Sequence, residues 1–168
     1  MLNRSVMVIG AGPLPESLMA RGCTTLAQAV GLPLCTVNVG QAPDPWLSKQ
    51  VAASPALMRL CGDAGRISRD GSSWLEALGA WQIPTVVLAV TESDGAVPGI
   101  VPATIALCKA RRVPLKALLQ LGDSWNRSER LRDGLPWQGW LSARNDDGLD
   151  GVVALLRVQL AVPSTPQF

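Results

Sequence analysis

Four short, largely apolar runs divide the chain: Val6–Ile9, Leu34–Val39, Thr85–Val90 and Leu115–Leu121. Their continuity leaves no polar face for solvent. That pattern predicts interior strands of a mostly parallel sheet, covered on both faces. Between the first two runs, Leu18, Met19, Cys23, Leu26 and Val30 recur at helical spacing, and Gly31 follows as a C-cap. Asp44-Pro45 predicts a helix start, an N-cap followed by proline at the first helical position. Ser54-Pro55 repeats that signal and predicts a second helix start. Trp74, Leu75, Leu78 and Trp81 lie on one helical face. Further helices are expected over roughly Ile100–Arg112 and Arg127–Arg132. Trp137–Leu141 reads as a last strand. Asn145 or Asp146 would cap a final helix running to about Gln159. Strands alternating with helices of this length predict an α/β fold of three layers, a mostly parallel sheet with helices on both faces. The expected organisation is one α/β domain over 1–162 and a disordered tail over 163–168.

Composition narrows the chemistry. The chain of 168 residues contains no histidine, which excludes His-based acid–base catalysis, Ser-His-Asp and Cys-His nucleophile systems, and histidine metal ligands. Its four cysteines, Cys23, Cys35, Cys61 and Cys108, form no Cys-x-x-Cys pair. Buried free thiols in a reducing cytoplasm are the expectation, with no metal and no cofactor. A net charge of +2 is too small for a dominant nucleic-acid field. Runs such as Ile83–Val90 fall far short of the roughly 20 apolar residues of a membrane span. Nucleic acid and membrane are therefore not expected partners.

Gly22-Cys23-Thr24-Thr25-Leu26-Ala27 has the outline of a phosphate-binding loop that has lost its lysine. In the working pattern, backbone N–H groups cradle phosphate, the lysine reaches the β- and γ-phosphates, and the hydroxyl helps hold Mg²⁺. Here Cys23 stands at the lysine position and Ser17 at the first glycine. Thr24 and Thr25 could still offer hydroxyls to phosphate, with only backbone and helix dipole behind them. Val8-Ile9-Gly10-Ala11-Gly12-Pro13 resembles the start of a dinucleotide fingerprint. Pro15 at the third glycine position, and no acidic residue after Asn38-Val39-Gly40, favour a structural turn. Glu92, Asp94, Asp63 and Asp70 lie on loops at the expected ligand edge. They read as solvated loop acids, or as a carboxylate pair for acid–base work or for holding a metal.

From Leu60 to Leu141 the chain resembles the dethiobiotin synthetase group of P-loop proteins, with cobyrinate amidoligases and partition ATPases as wider relatives. The likeness rests on Cys61-Gly62-Asp63-Ala64-Gly65, the helix Trp74 to Gly79, Ile83-Pro84 and the strand Thr85–Val90. It continues through the Gly95–Ile100 loop, the helix Pro102–Arg112, the strand Val113–Leu121, and Leu135-Pro136-Trp137-Gln138-Gly139-Trp140-Leu141. The resemblance implies a strand leading into Cys61, where Ser54-Pro55 predicts a helix. It also implies a degenerate nucleotide site. The metal-binding glutamate falls on Cys61, the loop lysine on Cys23, and the base-reading asparagine near Leu121 or Gly122. Asp63 could replace the lost carboxylate.

These observations lead to a P-loop-like domain that does not hydrolyse nucleotide and acts as a binding or assembly protein. Two alternatives stand beside it. One is a divergent ATP-dependent ligase of the dethiobiotin synthetase type, built on Thr24, Asp63 and Lys49. The other is an anion- or small-molecule-binding domain. Candidate cofactor-binding residues are Gly22, Thr24, Thr25 and Asp63, with no catalytic residue assigned. Six tryptophans with almost no other aromatic residue predict an apolar contact surface. It would draw on Trp74, Trp81, Trp137 or Trp140, in a homodimer or with a protein partner.

Overall fold

A computed structural model describes residues 5–142 and 149–161. Six strands form one all-parallel sheet: β1 (Val6–Gly10), β2 (Leu34–Asn38), β3 (Leu57–Cys61), β4 (Thr85–Val90), β5 (Leu115–Leu121) and β6 (Trp137–Leu141). The order across the sheet is β2-β3-β1-β4-β5-β6. Six helices alternate with them: α1 (Glu16–Val30), α2 (Pro43–Ala52), α3 (Trp74–Ala80), α4 (Ile100–Ala110), α5 (Arg127–Arg132) and α6 (Leu149–Ala161).

The strand order assigns the helices to layers. Parallel crossovers are right-handed, so the direction of travel along the sheet sets the face that a helix covers. The chain moves one way from β1 to β2, and the other way at every later crossover. Thus α1 lies on one face, where α6 joins it. Met19, Cys23 and Leu26 pack there with Val8, Leu88, Leu119 and Val152. The α2, α3 and α4 side carries Leu47, Trp74, Leu75 and Val101 against Ile9, Met58, Val87 and Leu118. The three-layer α/β fold expected from the alternating pattern is the fold observed.

Two local expectations are corrected. Ser54-Pro55 does not open a helix, because β3 begins at Leu57. There, Leu57-Met58-Arg59-Leu60 joins the sheet between β2 and β1. β2 is not an interior strand but an edge: Leu34, Thr36 and Asn38 are exposed, and only Val37 is buried. The reason is topological, since β3 enters between β1 and β2 and leaves β2 one neighbour. The proposed caps Asn145 and Asp146 and the tail 163–168 lie outside the described residues.

Two glycines permit close packing of elements, one between a helix and the sheet and one between helices of the same layer. A Cβ on Gly22 would stand 2.9 Å from Leu121 Cδ2, so α1 lies close on the sheet. A Cβ on Gly79 would fall 1.9 Å from the carbonyl oxygen of Arg111. Only glycine permits α3 that approach to the end of α4.

Candidate functional site

In open parallel sheets, ligands bind beyond the strands' carboxyl ends, where the strand order reverses. Here that point lies between β1 and β4. The β1–α1 loop carries Pro13 and Pro15, which have no N–H to offer phosphate, and Gly12 lies against Ile100. The dinucleotide reading also fails on topology. That fold places β2 beside β1, whereas here β3 is the neighbour.

The phosphate-loop outline falls inside a helix. α1 starts at Glu16, so Ser17 through Thr25 are helical. The N–H groups of Gly22, Thr24 and Thr25 therefore belong to the helix interior rather than to a cradle. Thr24 Oγ1 donates to the Ala20 carbonyl at 2.9 Å, an internal bond that threonine often makes in helices. Cys23 is fully buried. Burial pushes its thiol up to about 12, and the nearby Arg59 charge offsets only part of that.

The charge in this region comes from within. Arg59, buried on β3, forms an ion pair with Glu16 in the first turn of α1. Its Nη2 also donates to Cys61 Sγ at 3.1 Å. Burial acts to lower the Arg59 pKa, yet Cys61 and Glu16 together hold it above its ordinary value. A carboxylate thus sits at the positive end of α1, where an anion is favoured.

Asp63 is not part of this group. Its Oδ1 accepts from the Gly65 N–H at 2.9 Å, and Gly65 borders Leu75 and Leu107, on the α3–α4 side. Gly22 borders Leu88, Leu121 and Leu141 on the opposite face. The four candidate residues are therefore not brought together, and Lys49, on α2, is also on the side away from Thr24. Asp94 and Asp70 accept from backbone N–H groups two residues on, at Ala96 and Ser72, as turn-forming acids do. Hydrogen bonds from Ser72 lower the Asp70 pKa.

A second region gathers the aromatic residues. β6 slips by one residue against β5: Leu118 faces Trp137, and Leu119 faces Gly139. This bulge at Gln138 breaks the two-residue alternation. Trp137 and Trp140, three apart, therefore lie on one face. Trp125 joins both, stacked on Trp140 at 5.2 Å and edge-on to Trp137 at 6.2 Å. Arg130 lies 5.5 Å over the Trp137 ring. Its Nη2 donates to the Gly95 carbonyl at 2.6 Å, and its Nη1 faces Asp133 at 3.4 Å. Asp133 in turn accepts from Trp137 Nε1. A cavity of about 420 Å³ opens beside this cluster, and another of about 580 Å³ lies between α5 and the Gly95 loop. Arg130 lines both.

The other tryptophans differ. Trp74, expected on a contact surface, is buried in the core, edge-on to Trp46 at 5.8 Å. Trp81 is exposed and donates to Asp44 at 2.8 Å.

Arg59, Gln120 and Arg130 belong to no motif. Arg59 and Gln120 nevertheless carry a signal, since each is a polar residue flanked by apolar ones within its strand. Gln120 is fully buried, reaches Ser124 Oγ at 3.4 Å, and has no hydrogen-bond partner for its Oε1. Arg130 shows no such signal in its polar segment. Among the described residues no cluster of cysteine and acidic residues could hold a metal ion, and no helix is long and apolar enough to cross a membrane. The chain matches no protein-family model and no curated protein.

Proposed function

We propose that the protein is a P-loop-like α/β domain that does not hydrolyse nucleotide and works by binding or assembly. The observation that carries this reading is the Glu16–Arg59 pair. The helix terminus and the cation that a phosphate would need are already engaged with each other. Fully buried Cys23 offers no ammonium, so transition-state charge would meet no fixed cation from this helix. The dethiobiotin synthetase type of activity has less support, because Thr24 on α1 and Lys49 on α2 lie on opposite faces of the sheet and Asp63 is engaged by the Gly65 N–H in its own loop.

Binding would use the β5–β6 side, where Trp125, Trp137 and Trp140 are only partly buried and Leu131 is 73% exposed. Homodimerisation is the expected form of assembly, in a cytoplasmic setting that suits four free thiols. The test is turnover of ATP with Mg²⁺ by the purified protein. No activity above a Cys23→Ala control is expected. Hydrolysis lost on Asp63→Asn would sink the reading in favour of a rebuilt site. Sedimentation at micromolar concentration tests assembly, and a monomer would count against the dimer.

A further inference from the structure

We infer that the cavity beside β6 is a binding site for a small planar aromatic anion. This deepens the reading of the protein as a binding domain and rests on it. Three features specify the ligand class. First, the volume, about 420 Å³, lies within the range of small-molecule sites. Second, the walls include the rings of Trp125, Trp137 and Trp140. The Trp125 and Trp140 planes lie 14° apart, and Trp137 stands at 77° to Trp125. Trp125 and Trp140 stack on each other, so a flat guest would extend that stack on its outer side or meet a ring edge. Third, Arg127 and Arg130 line the cavity, and no acidic residue is among its described lining residues.

Arg127 supplies the charge selection, because the Arg130 guanidinium is already paired with the Glu129 and Asp133 carboxylates, each at 3.4 Å. Arg127 is exposed and has no ion-pair partner among the described residues. Arg130 is only 5% exposed, and its Nε has no hydrogen-bond partner. A buried donor without an acceptor is costly, and a nearby anion would relieve that cost electrostatically. A cationic guest would be repelled. A neutral one would meet the rings but gain nothing from the guanidinium groups.

Two sources share this chemistry, an aromatic carboxylate and a mononucleotide. The experiment titrates the protein with 2-naphthoate, with AMP and with the neutral 2-naphthylmethanol, following tryptophan fluorescence. At least one anion should bind with a Kd below about 1 mM and about tenfold more tightly than the alcohol, as a charge-assisted contact allows. The anion that binds identifies the source. Arg127→Gln, at an exposed site, should remove that preference without moving the melting temperature. Trp140→Leu should weaken anion and alcohol alike. The proposal is overturned if neither anion saturates by about 10 mM. It is also overturned if the preference is absent or survives Arg127→Gln. In those cases, continued absence of ATP turnover would leave the wider reading standing. ATP hydrolysis would instead remove the wider reading, whatever the naphthoate result.

Discussion

The β1–α1–β3 corner and the β5–α5–β6 corner make different use of their polar groups. At the first, the motif-like residues are helix interior, and Arg59 is taken up by the Glu16 carboxylate and the Cys61 sulfur. At the second, no motif exists and Arg130 is likewise paired, with Glu129 and Asp133, yet a cavity, three tryptophans and Arg127, which has no ion pair among the described residues, come together. An outline of phosphate-binding residues is thus no guide to the chemistry of a site when the backbone around it is helical. Phosphate recognition needs free N–H groups, and a helix interior has none.

The most forceful test of this contrast restores the lysine. Cys23→Lys places an ammonium in a fully buried position. It should destabilise the fold by several kcal/mol, on the order of the cost of burying an unpaired charge. Urea denaturation reads the loss. A variant of unchanged stability that binds ATP would show that the first corner retains a working nucleotide site.

Arg130→Met probes the other corner. It removes the hydrogen bond to the Gly95 carbonyl and the contact over Trp137. A loss of about 1.5–3 kcal/mol is expected, as for a hydrogen bond from a charged group. The urea midpoint should fall and Trp137 emission should shift. Unchanged values would mean that Arg130 does not hold α5 to the Gly95 loop.

Alkaline titration separates the thiols. Cys23 and Cys108 are raised to about 12 and about 11 by burial. Their folded pKa values lie above the unfolded value, so the stability they contribute is present at neutral pH. It declines as pH rises from about 9 towards 12. The urea midpoint should fall over that window. A thiol reagent at neutral pH should label the part-buried Cys35 and Cys61 before Cys23 and Cys108. Equal labelling rates would contradict the burial that underlies the shift.

The smallest effect is expected from Thr24→Ala. It removes an exposed internal bond to Ala20 and adds a better helix former. Stability should change by no more than about 0.5 kcal/mol, with no change in any ligand titration. A lost nucleotide signal would return Thr24 to the candidate site.

Several elements were legible in the chain alone. Thr85–Val90 and Leu115–Leu121 match β4 and β5 residue for residue, and Arg127–Arg132 matches α5. The apolar run of β4 is covered on both faces as such runs favour, although the run at Leu34–Asn38 forms an edge strand, and Asn126 caps α5 by accepting from Ser128 and Glu129. Gly31 also ends α1 as the pattern predicts, in the left-handed conformation. The three-layer fold followed from the alternation of such elements.

Relations between distant segments were settled only in three dimensions. Strand order made β2 an edge and drew Leu57–Cys61 into the sheet, despite the helix-start signal at Ser54-Pro55. The helical spacing of Leu18 to Val30 was legible, and the start of α1 at Glu16 showed that Ser17 also lies in the helix rather than in a loop before it. One bulge at Gln138 put Trp137 and Trp140 on the same face. The right-handed crossovers placed Thr24, on α1, and Lys49, on α2, on opposite sides of the sheet. Periodicity records which face of an element is apolar. It carries no record of neighbours across the sheet, and the pairing of Arg59 with Glu16, 43 positions away, depends wholly on that arrangement.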